Sequence, residues 1–85
     1  MKTIFRLKMM EGKNLIRQED CNEFEELKKF QMVFKGKPTE DEYPEIFAVG
    51  NHLKYRDSDE IYKITKLRTQ NGILETLVDV DCQKL

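Results

Sequence analysis

Asn22-Glu23-Phe24-Glu25-Glu26-Leu27-Lys28-Lys29-Phe30-Gln31-Met32-Val33-Phe34-Lys35-Gly36 is the stretch whose reading decides the fold of this chain. It has the marks of an amphipathic helix. Asp20 or Asn22 can cap it, and Asn22 with Glu25 resembles a capping box with Asn in place of Ser or Thr. Glu23, Glu25 and Glu26 come early and Lys28, Lys29 and Lys35 late, the order that the helix dipole favours. Phe24, Leu27, Phe30, Val33 and Phe34 recur at three- and four-residue steps, which predicts one apolar face. Gly36 ends the pattern and Pro38 enforces the stop. A second period competes. Phe30, Met32 and Phe34 also alternate, as they would in a strand over 30–35 after a short helix. The longer helix is the reading adopted.

Upstream, residues 3–10 read as a strand, with Phe5, Leu7 and Met9 alternating with Arg6, Lys8 and Met10. Glu11-Gly12-Lys13 is a turn, and Asn14 to Gln18 a short return strand. Downstream, residues 36–44 read as a loop holding Pro38, the acidic run Glu40-Asp41-Glu42 and Pro44. Consecutive strands follow: Ile46–Val49, His52–Arg56, Glu60–Thr69 and residues 73–82. Asn71-Gly72 is the strongest local signal, since both residues tolerate the positive φ of a type I′ hairpin turn. In the last strand Leu74, Thr76, Val78, Val80 and Cys82 share a face, and Leu77 breaks the pattern.

These elements predict one α+β domain over residues 1–85. It is a small antiparallel sheet of about five strands, a C-terminal meander with an N-terminal hairpin, covered by one helix. Phe47 to Val80 resembles a small SH3-like barrel in its cadence of glycine turn, short strands and tight hairpins. The resemblance covers under half the chain and brings no diagnostic motif.

Composition narrows the class. The chain has 39% apolar residues, 36% charged residues and eight aromatics, and its apolar positions are periodic, which argues for a packed core over disorder. Fifteen Lys and Arg oppose sixteen Asp and Glu. That balance argues against binding nucleic acid by bulk positive charge and against mimicking DNA. Two cysteines, Cys21 and Cys82, are too few for a disulfide scaffold, although one bridge between them is an alternative to two reduced thiols. Met1–Arg6 lacks the apolar core of a signal peptide, and no apolar run approaches a membrane span. A cytoplasmic location is the expectation, in a host cell if the gene is viral.

The inventory for catalysis is thin. His52 is the only histidine, so a Cys–His pair would have to form with Cys21 or Cys82. Cys82 alternates with core residues, whereas Cys21 stands at the start of the expected helix, where the dipole would favour its thiolate. There is no metal-ligand spacing. Asp57-Ser58-Asp59-Glu60 lacks the glycine and the glutamate of a calcium loop. The dispersed glycines form no phosphate-binding loop. No catalytic residue, cofactor or metal is expected.

Two surfaces stand out instead. Met9, Met10, Phe30, Met32 and Phe34 exceed what one apolar face requires, and such residues are common at protein contacts. Lys54, Arg56, Lys63, Lys66 and Arg68, with Tyr43, Tyr55 and Tyr62 nearby, fit the basic groove and stacking rings of a single-strand binder. Arg6 and Lys8 on the first strand add to that basic set. The leading expectation is a non-enzymatic accessory or regulatory protein acting through a protein partner or self-association. A phage- or mobile-element-encoded inhibitor of a host factor fits that class. RNA or single-stranded DNA binding is the alternative.

Overall fold

The computed structural model describes residues 2–32 and 46–85. Six strands form one sheet: β1 (Lys2–Glu11), β2 (Asn14–Cys21), β3 (Phe30–Met32), β4 (His52–Tyr55), β5 (Ile61–Asn71) and β6 (Glu75–Lys84). Their spatial order is β2-β1-β6-β5-β4-β3. Every neighbouring pair is antiparallel except β1 and β6, which run parallel and join the two ends of the chain. The sheet curls into a half-barrel with its core on the concave side.

The expected α+β fold, with a helix packed on an antiparallel sheet, is therefore corrected. Among the described residues the only helical element is a six-residue 3-10 helix, Phe24–Lys29. The signals read as a helix are real but short. Glu25 and Glu26 occupy its first turn and Lys28 and Lys29 its last. The reach-back bond comes from Glu26, whose carboxylate accepts from the Asn22 N–H at 3.0 Å. Then the period changes. The Phe30 N–H bonds back to the Leu27 carbonyl, and Phe30 and Met32 point inward opposite Tyr55 and Leu53 of β4. Two-residue alternation wins because it buries both side chains against a neighbouring strand, which a free-standing helix face cannot do. Val33, Phe34, Lys35 and the 36–44 loop lie outside the described residues.

Three smaller expectations also change. Ile46–Val49 is a turn rather than a strand, with Ile46 and Phe47 tucked into the core. It is held by the Asn51 side-chain amide, which donates to the Ile46 carbonyl at 2.8 Å. The hairpin between β5 and β6 turns at Ile73-Leu74, not at Asn71-Gly72. Among the described residues only Gly12 (φ +62) and Gly50 (φ +98) have positive φ. Gly72 is demanded by close approach instead, because a Cβ there would lie 2.7 Å from the Glu75 carbonyl oxygen. Finally, the sheet is mixed and open, not a closed barrel.

The first strand and its turn stand where expected, but the return strand runs past the expected end at Gln18 and takes in Asp20 and Cys21, which were expected at the start of the helix. Leu7 and Met9 are fully buried and Phe5 nearly so, and they pack with Leu27, Leu53, Tyr62, Ile64, Val80 and Cys82. A Cys21–Cys82 bridge is ruled out by register. Cys21 lies opposite Phe5 and Cys82 opposite Met9, four residues along β1, or about 13 Å at the rise of an extended strand. A disulfide needs Cα atoms within about 7 Å. Both thiols are free and buried.

Candidate functional site: an open strand edge beside a basic face

β5 has eleven residues and β4 only four, so β5 outruns its neighbour. β4 pairs with it from Ile61 to Lys63, and the Gly50–Asn51 turn bonds Ile64 from the same side. Beyond that point no described strand lies beside β5. Its free side follows from the ladder. Gly72 closes the hairpin by donating its N–H to the Glu75 carbonyl at 2.8 Å. In an antiparallel pair, residues bonded to the partner alternate with residues that face away. Counting back along the register, Gln70, Arg68 and Lys66 turn their backbone groups to β6. Asn71, Thr69 and Leu67 turn theirs outward, onto an open edge.

A bulge at Thr65 shapes the side-chain display. Spacing alone would put Lys63 on one face and Lys66 and Arg68 on the other. The extra residue brings all three to one face, opposite Gln83, Asp81 and Asp79 in turn. Lys54 and His52 share it, through their register with Ile61 and Lys63. A basic row thus runs along β4 and β5 on the convex face. Arg68 is tied to Asp81 at 2.8 Å and Lys54 to Asp59 at 3.9 Å. Lys63 and Lys66 make no ion pair among the described residues. On the β1 side the same face is neutralised by Arg6–Asp20 at 2.9 Å and Lys8–Asp79 at 3.6 Å. Arg56 lies apart, past the end of β4, with its guanidinium donating to the Lys28 carbonyl at 3.3 Å.

The apolar candidates are placed differently from expectation. Met9, Phe30 and Met32 belong to the core, so the folded sheet does not present them to a partner. Met10 is half-buried on the convex face, and Phe34 lies outside the described residues. The exposed bulk is elsewhere. Ile73 is 95% exposed and Leu74 84%, at the tip of the β5–β6 hairpin, and Leu67 is exposed beside the open edge. The signal for this was present in strand length, since the segment from Glu60 is much longer than His52–Arg56.

Tyr55 and Tyr62 are buried on the concave side, away from the basic row, and Tyr43 lies outside the described residues. His52 and Cys82 fall on opposite faces, and Cys21 is across the sheet on β2, so no Cys–His pair forms. Burial pushes the Cys21 thiol up to about 11 and the Cys82 thiol up to about 12, so neither is a thiolate at neutral pH. Among the described residues no group of three His, Cys, Asp or Glu is arranged to hold a metal, and no helix is long and apolar enough to cross a membrane. Compared with protein families, curated proteins and solved structures, the chain finds no match. Its function has to be read from its own geometry.

Proposed function

We propose that this chain is a non-enzymatic accessory or regulatory protein that takes an extended segment of a protein partner onto the open edge of β5. The observation that carries this reading is the outward row of backbone groups on Leu67, Thr69 and Asn71. Strand addition draws affinity from such main-chain bonds and selectivity from flanking side chains. Leu67, Ile73 and Leu74 supply apolar contact, and Lys63, Lys66 and Arg68 favour a segment carrying acidic residues. A second copy would bring the same cations to the shared edge, which favours a different chain over self-pairing. The outer strand β2 carries Arg17, Glu19 and Asp20, charges that oppose pairing, beside the exposed Leu15 and Ile16. Burial of Tyr55 and Tyr62 removes two rings that a single-strand nucleic-acid binder would stack upon, which favours the protein reading. The two reduced cysteines fit a cytoplasmic setting.

Thr69→Pro tests the reading. The Thr69 N–H faces the open edge, so proline there removes no bond to β6. Partner recovered on the wild-type chain from its native cell is expected to fall at least tenfold on the variant. Leu15→Lys, on the β2 edge, is expected to leave recovery unchanged. Equal recovery on wild type and a folded Thr69→Pro chain refutes strand addition at β5.

A further inference from the structure

A second feature of the molecule lies away from the β5 edge. Where the half-barrel curls round, β2 approaches the end of β4, and the 3-10 helix lies between them. They flank a shallow, open depression of about 480 Å³ lined by Arg17, Lys28, Lys29, Tyr55, Arg56 and Asp57. Its walls thus carry four cations and one carboxylate, drawn from three separate segments.

Each cation is positioned by a contact of its own. Arg17 stacks on the Tyr55 ring, 3.8 Å from the centroid. Lys29 binds Glu19 Oε1 at 3.2 Å, and Arg17 reaches the same oxygen at 3.8 Å. Arg56 is fixed through its backbone N–H to the Lys29 carbonyl at 2.9 Å and its guanidinium to the Lys28 carbonyl. Lys28 pairs with Glu25 at 2.8 Å, an exposed bridge that exchanges readily for a better partner. Counting Glu19 and Glu25 behind the walls, four positive charges face three negative ones. Arg56 has no carboxylate partner among the described residues.

Tyr55 is only 4% exposed, and its buried hydroxyl is directed to the neighbouring Glu19 carboxylate. Burial first, and then the neighbouring Glu19 carboxylate, hold that hydroxyl well above the usual tyrosine range, so it stays a proton donor.

We propose that this depression binds a phosphate group, carried by a small molecule or by a phosphorylated protein segment. Two guanidinium forks suit the paired oxygens of a phosphate, and Lys28 and Lys29 supply point charges for its second negative charge.

Titration of the full chain with inorganic phosphate, phenyl phosphate and a phosphoserine peptide, at fixed ionic strength, tests this by backbone amide NMR. The expected result is a saturable shift confined to residues around Arg17, Lys28, Lys29, Tyr55 and Arg56. Arg56→Gln and, separately, Lys28→Gln are expected to weaken it at least tenfold and fivefold, while Lys63→Gln leaves it unchanged. Tighter binding of the peptide than of phenyl phosphate assigns the group to a protein segment, and the reverse assigns it to a small molecule. Shifts that never saturate, that spread over Lys54, Lys63 and Lys66, or that survive both the Arg56 and the Lys28 substitution would overturn the proposal.

Discussion

Met32→Glu is expected to cost on the order of 3–5 kcal/mol, because the new carboxylate would be buried without a partner. Met32 is 6% exposed, points into the core from β3 and stands opposite Leu53. A chain of 85 residues has about 4–13 kcal/mol of stability at the usual value per residue, so the variant is expected to lose a large share of it. The experiment distinguishes two readings of the same sequence. If Met32 projected from a long helix as a spare contact residue, a charge there would cost almost nothing. Met10→Glu is the matched control. Met10 is half-buried on the convex face, and its substitution is expected to stay within about 1 kcal/mol. Urea unfolding followed by circular dichroism reads both. A Met32→Glu chain as stable as wild type would remove β3 from the fold.

Leu7→Ala is expected to cost about 2–5 kcal/mol, the range for emptying a tightly packed aliphatic site. Leu7 is fully buried at the middle of β1, the strand that carries antiparallel β2 on one side and parallel β6 on the other. It faces Glu19 and Val80 in register. A cavity there undercuts the pairing that joins the two ends of the chain, and strands cannot shift to fill it without breaking register on both sides. Leu15→Ala, at an exposed position on β2, is expected to change stability by no more than about 0.5 kcal/mol. Urea midpoints for the two variants test the contrast. Equal, small effects would mean that β1 is not the centre of the core.

Much of this architecture is legible from alternation alone. Phe5, Leu7 and Met9 declare the inward face of β1, and Val80 and Cys82 that of β6, because each face of a half-buried strand has period two. The turn at Gly12 is equally plain. Around Phe24–Met32 the same local signals favour a long helix, because charge order and capping describe how a helix starts but not how far it runs. What stops it is tertiary: Tyr55 and Leu53 offer Phe30 and Met32 a strand to pair with, and that information is more than twenty residues away. The parallel pairing of β1 with β6 is hidden for the same reason. The basic residues were visible, but their shared face was not, since the bulge at Thr65 resets the alternation between Lys63 and Lys66. The open edge depends on the difference in length between β5 and β4, which the sequence hints at and the ladder makes definite. Arg17 was hidden most completely. Only the curl of the sheet brings it over Tyr55.

The open edge of β5 is most directly tested by residue-resolved amide hydrogen exchange on the free chain. The structure predicts alternation. Lys66, Arg68 and Gln70, bonded to β6, are expected to exchange slowly, and Leu67, Thr69 and Asn71, which face away, to exchange at least tenfold faster. Slow exchange at all six positions would show that the edge is already covered and would contradict the account.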